Sequence, residues 1–350
     1  MLQAITRARR YVHLETYTLR ADRTGRMFAA ALSDRAQAGV PVRVLYDGFG
    51  AFPLSAAYLA DLRRAGVETL EFRPVRGRRW TWRRWFRRDH RKILVVDGEY
   101  GFVGGVNIAD DYAPRAFGGK GWRDTHAVIQ GPLVDDLEEM FRTTWHAAGG
   151  APYRAFARDA AESVAVPGSE MAMAVGTDLA GRRGVIRRHL VHAIRRARQY
   201  VHVANAYFVP DHALRRALRR AARRGVDVRV ILPGESDVRS VQWAGERTYT
   251  GLLRDGVRIH VWYGSHMHAK TVAIDDAWAT IGSYNLDYMS LFWNMEVVVE
   301  IVGDTTPARL REQFARDLEQ CRALDYESWR SRPWWHRLRS WFFYRFRRFL

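Results

Sequence analysis

The chain has 350 residues, of which 47% are hydrophobic, and this is enough for one large domain or two of average size. Its formal charge of +18 indicates an anionic partner, either nucleic acid or an acidic membrane surface or substrate, without choosing between them. The only cysteine is Cys321, so intrachain disulfides and thiolate zinc sites are excluded, and a reducing cytoplasm is the simplest compartment.

Helical and strand-like patterns alternate along the first half of the chain. "MLQAITRARR" predicts a helix that runs directly into the strand-like "YVHLETY", and further strands are predicted at "VRVLYDG" and "VETLEF". This alternation predicts an α/β protein with mainly parallel or mixed sheets. The sequence shows neither a secretory signal peptide nor an uninterrupted run of about 18 apolar residues, so any membrane association is expected to be peripheral.

An arginine-rich segment with interleaved tryptophans, "RGRRWTWRRWFRR", occupies residues 76–88. This composition suits either stacking on single-stranded nucleic acid or a position at a lipid headgroup interface. A solvated surface loop is the remaining alternative.

Residues 90–97, "HRKILVVD", begin a polar motif on a predicted strand. Because residues i and i+2 of a strand share a face, His90 and Lys92 are predicted to point the same way. The chain has only three lysines among 56 basic residues, so a lysine at this position is unusual. The motif continues to a Gly-Gly pair, where the backbone can be approached closely, and to Asn107, which adds an amide donor.

The same motif recurs in the second half as part of an internal repeat. "AITRARRYVHLETY" at 4–17 matches "AIRRARQYVHVANA" at 193–206, and "HAKTVAID" at 268–275 repeats the spacing of residues 90–97. The first copy, 90–107, contains His90, Lys92, Asp97, Gly104, Gly105 and Asn107, and the second, 268–285, contains His268, Lys270, Asp275, Gly282, Ser283 and Asn285.

Gly, Pro, Ala and Ser interrupt the periodic pattern between residues 149 and 170 and indicate the seam between two repeats. We therefore predict a first repeat at 1–155, a second at 156–328 and a tail at 329–350. Two copies of one fold predict a pseudo-two-fold pair whose motifs face one shared cleft. Lysines and asparagines from both copies would then surround a tetrahedral anion with donors.

The apolar letters of the motif need no function, since a strand, an Asp-Gly turn and a second strand would explain them. The polar letters are different. Burial of His, Lys and Asn near a sheet is costly unless these groups are paired or used, and this cost recurs at identical spacing. The repeat therefore favours a functional site over a purely structural one.

The pattern HxKx4Dx6G(G/S)xN, present twice, resembles the phospholipase D superfamily over nearly the whole chain. "LETY", "RVLYDGFG", "RDHRKILVVDG" and "WRDTH" resemble in particular the bacterial cardiolipin synthases, in their short form without transmembrane helices. The resemblance implies two tandem phospholipase D-like α/β/α repeats that form a bilobal unit with one active-site cleft. It implies chemistry without a metal or other cofactor.

The resemblance further implies a phosphatidyltransferase that moves a phosphatidyl group from phosphatidylglycerol, or another phospholipid, to the hydroxyl of a second phospholipid. By this resemblance, His90 attacks phosphorus to form a phosphohistidine and His268 is the general acid and base, with the reverse assignment left open. The lysines and asparagines would stabilise the transition state, and Gly104, Gly105, Gly282 and Ser283 would form the phosphate-binding rim.

Two carboxylates outside the motifs correspond to groups that orient the catalytic histidines in this family. Glu296 follows the second copy and Asp124 of "WRDTH" follows the first. The motif's own Asp97 and Asp275 are interpreted as structural ion-pair partners more than as participants in the chemistry.

The tail "WRSRPWWHRLRSWFFYRFRRFL" is rich in arginine and aromatic residues and has no acid. As a helix it places Trp335, Leu338, Phe342, Phe346 and Phe349 on one stripe, with Arg337, Arg347 and Arg348 roughly opposite. This pattern is typical of a membrane-surface anchor, and we expect a peripheral protein on the cytoplasmic side of the membrane. Packing of the stripe on the protein's own core is the alternative.

Other functions remain open at the level of the sequence. A phospholipase D-type hydrolase or a nucleic-acid phosphodiesterase of the same superfamily would use the same motif, and a non-catalytic binder of acidic membranes or nucleic acid belongs to another class. The sequence carries no signal for oligomeric state.

Overall fold

The computed structural model describes residues 1–75, 85–153, 168, 170–178 and 183–350. Most of the arginine–tryptophan segment at 76–88 and much of the seam at 149–170 lie outside the described residues. The chain divides into two compact units, and each includes a short segment from the other half of the sequence. The first comprises Met1–Gly121, His126–Ser169 and Met295–Val297, and the second comprises Trp122–Thr125, Glu170–Asn294 and Val298–Leu350.

The first unit contains a mixed six-stranded sheet in the order β3-β2-β1-β4-β5-β6. Its strands are β1 (Val12–Thr16), β2 (Val42–Asp47), β3 (Glu68–Phe72), β4 (Ile93–Val96), β5 (Tyr100–Gly104) and β6 (His126–Ile129). The helices are α1 (Leu2–Arg7), α2 (Arg23–Gln37), α3 (Ala56–Arg64) and α4 (Leu133–Ala147), with a 3-10 turn at Arg115–Phe117.

Strand β1 lies at the centre of this sheet, parallel to β2 on one side and antiparallel to β4 on the other. Every residue of β1 is buried, as expected for a central strand covered on both faces. The motif-bearing hairpin of β4 and β5 is therefore attached directly to the core strand.

The second unit contains an eight-stranded sheet in the order β14-β10-β9-β8-β11-β12-β13-β7. Its strands are β7 (Met171–Gly176), β8 (Tyr200–Asn205), β9 (Asp227–Pro233), β10 (Arg258–Trp262), β11 (Lys270–Ile274), β12 (Trp278–Gly282), β13 (Val297–Val302) and β14 (Cys321–Ala323). Its helices are α5 (Val185–Arg196), α6 (His212–Arg223), α7 (Arg239–Arg254), α8 (Tyr288–Phe292), α9 (Thr305–Leu318), α10 (Tyr326–Arg330) and α11 (Trp334–Arg345), with a 3-10 turn at Arg347–Phe349.

The predicted order of helix, strand, helix, strand, helix, strand and hairpin is found in both units. It runs from α1 to β5 in the first unit and from α5 to β12 in the second. The α/β fold class and the internal repeat are thus confirmed. Parallel pairing of β1 with β2 has its counterpart in parallel pairing of β8 with β9, and both motif strands run antiparallel to these central strands.

The tail forms helix α11 and the 3-10 turn, and one face of it packs on the second unit. The Phe343 ring lies 4.9 Å from that of Trp243 in α7, and Arg339 Nη2 lies 3.4 Å from Glu246 Oε2. The stripe predicted from the sequence is instead the outer face, with Trp335, Leu338, Phe342, Phe346 and Phe349 each about half exposed. No helix among the described residues has the length and apolar character needed to cross a bilayer.

Candidate active site

His90 lies in the first unit, three residues before β4 begins, and it is buried. Its backbone N–H donates to the carbonyl of Met295 at 3.0 Å, and the Met295 N–H donates to the carbonyl of Arg88 at 2.9 Å. These main-chain hydrogen bonds bring the next residue, Glu296, against the imidazole, where its Oε2 lies 3.0 Å from Nδ1 of His90. The Glu296 side chain is fully buried.

His268 lies in the second unit and has a corresponding environment. Its backbone N–H donates to the carbonyl of Arg123 at 2.8 Å, and the Arg123 N–H donates to the carbonyl of His266 at 2.8 Å. Asp124 Oδ2 lies 2.7 Å from Nδ1 of His268, and both side chains are buried. A carboxylate at Nδ1 fixes the orientation of the ring and the position of the Nδ1 proton, so that Nε2 is the nitrogen available for chemistry.

The sequence analysis located each carboxylate after one copy of the motif without assigning it to a histidine, and the structure pairs it with the histidine of the other copy. Glu296, which follows the second motif, contacts His90, and Asp124, which follows the first motif, contacts His268. The physical reason is that residues 295–297 and 122–125 each add a short β-bridge beside the other copy's motif strand. Spacing along one copy cannot reveal such an exchange.

Both motif lysines are buried and fold back on their own histidine. Lys92 Nζ donates to the His90 carbonyl at 2.7 Å and lies 5.2 Å from the centre of the Tyr17 ring. Lys270 Nζ donates to the His268 carbonyl and lies 2.9 Å from Nδ1 of the same residue. Each ammonium group therefore contacts the main chain of its histidine, and that of Lys270 also contacts the imidazole. His90 and Lys92 precede β4, so their contact does not arise from alternation along a strand as the sequence predicts.

The charges in the second unit favour an ionised Asp124. Burial by itself would raise the pKa of this carboxyl, but the positive charges of Lys270 and His268 and the hydrogen bond from His268 outweigh burial and lower it. Asp124 is thus a carboxylate at neutral pH and stabilises the imidazolium form of His268.

The motif asparagines Asn107 and Asn285 are both buried. Asn107 Oδ1 accepts from the Thr18 N–H at 3.1 Å and its Nδ2 donates to the Tyr112 hydroxyl at 2.8 Å. The Asn285 N–H donates to Ser290 Oγ at 3.2 Å. Gly104 and Gly282 end the second hairpin strand of each motif, opposite His126 and Val298, and Gly105 and Ser283 follow them. These four residues lie at or next to strand ends, and their role in binding phosphate stays a prediction.

Asp97 and Asp275 sit in the hairpin turns and act on the main chain. Asp97, at φ 58°, accepts from the backbone N–H groups of Arg9, Arg10 and Tyr11 at 2.7–2.9 Å. Asp275, at φ 57°, accepts from three consecutive N–H groups, those of residues 198–200, at 2.7–2.8 Å. The sequence favours ion pairing at these positions, whereas the structure shows main-chain donors. Asp suits the site because it tolerates the left-handed conformation.

A second histidine beside the site, His266, contacts Trp122 and Asp237. The Trp122 ring centre lies 4.2 Å from that of His266, and His266 Nε2 lies 3.4 Å from Asp237 Oδ1. Burial would raise the pKa of Asp237, but hydrogen bonds from His266 and Tyr207 outweigh it and lower the pKa to about 2. Within the described ranges no group of three or more His, Cys, Asp or Glu side chains is placed to hold a metal ion.

The sequence reasoning missed a set of buried charged groups behind the first motif. Glu15, Asp89 and Arg91 are almost completely buried together, and the nearby pair of Arg88 and Asp47 has 3.0 Å between Nε and Oδ1. Burial raises the pKa of Asp47 to about 6 despite Arg88. The charged letters of "RDHRK" around His90 were the available signal, because charges that flank a motif next to a buried strand must find partners.

A solved structure has a similar fold. The chain is similar over its whole length to a phosphatidylserine synthase of Haemophilus influenzae, with a TM-score of 0.69 at 12% sequence identity and 92% of that chain covered. This low identity shows the fold alone. The family model described as "Cardiolipin synthase, PLD-like domain" matches residues 1–145 and 190–318. Fold and duplicated motif thus define a phospholipase D-like protein.

Curated relatives narrow the class further. The chain is 35% identical over 341 residues to a cardiolipin synthase of Alkalihalophilus pseudofirmus, spanning 97% of this chain and 67% of that protein. It is 34% identical over 348 residues to cardiolipin synthase B of Salmonella typhi, spanning 97% of this chain and 82% of that protein. The chain belongs to the cardiolipin synthase family of phospholipase D-like phosphatidyltransferases. It covers about two thirds of the length of the first of these relatives.

Proposed function

We propose that this chain transfers a phosphatidyl group from phosphatidylglycerol, or another phospholipid, to the hydroxyl of a second phospholipid. The observation that carries the proposal is the buried carboxylate at Nδ1 of each motif histidine, 3.0 Å from His90 and 2.7 Å from His268. Such a pair keeps Nε2 oriented for either nucleophilic attack or proton transfer, which are the two roles that a double displacement on phosphorus requires.

In the proposed first step Nε2 of His90 attacks the phosphodiester phosphorus. The N–P bond forms as the P–O bond to the departing alcohol breaks, and His268 gives a proton to the alcohol oxygen. This step leaves a phosphatidyl group on His90 and a neutral His268.

In the second step His268 removes the proton from the hydroxyl of the acceptor lipid. That oxygen attacks the phosphohistidine, a new P–O bond forms, and the N–P bond breaks to regenerate His90. The ammonium groups of Lys92 and Lys270 offset the negative charge that accumulates on the phosphoryl oxygens in both transition states. Water as the acceptor gives phosphatidic acid by the same sequence of bonds.

We further propose that the protein works as a peripheral protein at the cytoplasmic face of the membrane. The outward face of α11 supports this position, because Trp334, Trp335 and Leu338 are 49–72% exposed on a segment rich in arginine. Exposed aromatic side chains with basic neighbours favour the interface of an anionic leaflet.

The test is incubation of the purified protein with phosphatidylglycerol vesicles, followed by mass spectrometry of the lipids. We expect cardiolipin and free glycerol from the wild type and neither from His90→Ala or His268→Ala. If His90 is the nucleophile, a labelled phosphatidyl group should be detected on the wild type in samples quenched with alkaline denaturant and be absent from His90→Ala. Phosphatidic acid alone would indicate a hydrolase, and cleavage of nucleic acid with no lipid product would overturn the proposal.

A further inference from the structure

Arg91 is a buried arginine in the first unit, next in sequence to His90. Its Nε lies 3.3 Å from Glu15 Oε1 and 3.6 Å from Asp89 Oδ1. Its Nη2 donates to Thr144 Oγ1 at 2.7 Å and lies 3.5 Å from Met295 Sδ. Since Met295 precedes Glu296, this guanidinium contacts both segments that form the His90–Glu296 pair.

The second unit has an arginine with the same relation to its own pair, but this arginine comes from a different segment. Arg123 precedes Asp124, and its Nε and Nη2 donate to the Asp317 carboxylate at 2.9 and 2.8 Å. Its Nη1 donates to the Asp124 carbonyl at 2.7 Å and to Thr125 Oγ1 at 2.9 Å. Arg123 is thus attached to helix α9 on one side and to the carboxylate-bearing segment on the other.

The internal repeat shows that these contacts use equivalent positions with different residues. In the first unit Asp89, next to the motif, forms a β-bridge with Met295 of the added segment. In the second unit the methionine, Met267, is next to the motif and the charged residue, Arg123, is on the added segment. The equivalent positions hold Glu15, Asp89, Arg91, Thr144 and Met295 in the first unit and Ala204, Met267, Ala269, Asp317 and Arg123 in the second.

The second unit fills the space behind its motif strand with apolar groups. Ala204, Met267 and Ala269 belong to a buried cluster that includes Trp262 and Phe314. The repeat therefore folds without charges at the positions of Glu15, Asp89 and Arg91. An arginine next to the histidine–carboxylate pair is nevertheless present in both units. In the second unit it comes from a different position, has a different acidic partner and is only partly buried.

We propose that Arg91 and Arg123 are positioning residues, each holding the segment that carries the orienting carboxylate against its histidine. This inference rests on the proposed function, because its main readout is turnover at these histidines. Neither guanidinium is required to touch substrate. Removal of one should loosen the carboxylate and leave lipid binding nearly unchanged.

The second unit gives the cleaner test, because Arg123 pairs with one carboxylate, that of Asp317, whereas Arg91 lies near two. Arg123→Met alone would leave Asp317 buried without its partner and risk misfolding. The double variant Arg123→Met/Asp317→Thr inserts the residues found at the equivalent positions of the first unit and removes both charges together. Asp255→Asn, in the same unit, is a matched control because it removes a buried carboxylate held by Arg219 and Arg223.

The experiment compares steady-state transfer on phosphatidylglycerol vesicles, its pH profile and the downfield Nδ1–H proton resonance of His268. For the double variant we expect kcat to fall about 10- to 100-fold with KM within about twofold, because groups that orient a catalytic His have effects of this size. We also expect a shifted pH profile and a shifted His268 resonance. Asp255→Asn should lower thermal stability and leave all three readouts unchanged.

A folded double variant with wild-type kcat, pH profile and His268 resonance would overturn the inference. An inactive wild type would instead reject the proposed function, and the His268 resonance would still report whether Arg123 positions Asp124. If the double variant does not fold, Arg123→Lys provides the second comparison. Lysine keeps the charge but cannot bridge Asp317 and the Asp124 carbonyl as a guanidinium does, so kcat should still fall.

Discussion

Glu296 holds the imidazole of His90 with 3.0 Å between Oε2 and Nδ1, although 206 residues separate them in the chain. Asp124 holds His268 across 144 residues in the opposite direction along the sequence. Neither half of the sequence therefore contains a complete histidine–carboxylate pair. Each pair therefore needs a segment from the other half of the sequence.

The first prediction concerns the carboxylate at His90. Glu296→Gln keeps the size of the side chain but removes the charge that stabilises the imidazolium and fixes the ring. We expect kcat for phosphatidyl transfer to fall by at least about tenfold, with little change in KM. Glu300→Gln is the control, because Glu300 lies on strand β13, which begins directly after Glu296, and contacts Nδ1 of His189 at 2.9 Å, outside the motifs. Equal kcat for the wild type and Glu296→Gln would reject the orienting role.

The second prediction concerns the acid side of the stability profile. Because the folded-state pKa of Asp124 is lowered, its ionised form stabilises the fold above the unfolded pKa, about 3.9, and this contribution is lost as pH falls through the folded pKa. Asp124→Asn should lower the free energy of unfolding at pH 7 by about 3 kcal/mol, since Lys270 and His268 lose their counter-charge. Urea unfolding should show this difference shrinking below about pH 4. A difference that is constant with pH would contradict the assignment.

The order of helices and strands was predictable from the sequence because the same pattern occurs in both halves of the chain. The alternation of "AITRARR" and "YVHLETY" recurs at residue 193, and the hairpins follow from apolar strands around Asp97 and Asp275. Both turns have a left-handed aspartate, which is the conformation that tight hairpins require. Local patterns of this kind determine local structure, so the order of elements needed no tertiary information.

The pairing of carboxylates with histidines was not predictable by the same means. It depends on two β-bridges, Asp89 with Met295 and Arg123 with Met267, between segments far apart in sequence. The arginines next to the two histidine–carboxylate pairs were also not predictable from the sequence. Arg91 and Arg123 occupy positions that are not equivalent in the repeat, so comparison of the two copies cannot relate them. Only the tertiary contacts of Asp317 and Glu15 reveal that they are counterparts.

The third prediction concerns Glu15 in the buried cluster of the first unit. Burial is the main reason that the pKa of Glu15 is raised well above its ordinary value, and the charge of Arg91 only partly opposes it. A raised folded-state pKa means that Glu15 favours the fold below its unfolded pKa, about 4.3, and that this contribution is lost as pH rises through the folded pKa. Glu15→Gln puts a neutral side chain at this position, which does not have to bind a proton to be buried.

Glu15→Gln should therefore become more stable relative to the wild type as pH rises above the unfolded pKa of Glu, about 4.3, as measured by urea unfolding. Glu139→Gln is the control, because Glu139 is exposed on α4 and should show no such trend. A Glu15→Gln variant with the wild-type dependence of unfolding free energy on pH would show that Glu15 is ionised in the folded state.

The last prediction concerns the outer face of α11. Removal of the whole tail after Tyr326 would be a poor test, because it would also uncover Trp243 and take Arg332 and Arg339 from Glu246. Substitutions on the outer face avoid this damage. Trp334, Leu338 and Trp341 are 72, 52 and 49% exposed and follow one another at helical spacing.

The triple variant Trp334→Gln/Leu338→Gln/Trp341→Gln should keep its thermal stability and lose membrane affinity. Each fully buried large apolar side chain contributes about 1.5–3 kcal/mol, so partial insertion of three predicts at least about tenfold weaker partitioning into anionic vesicles. Flotation with phosphatidylglycerol vesicles measures this ratio. Phe343→Leu, on the inner face against Trp243, is the matched control and should reduce thermal stability without reducing flotation. If the triple variant floats like the wild type, α11 is not the membrane-binding surface and another face must bring the histidines to the lipid.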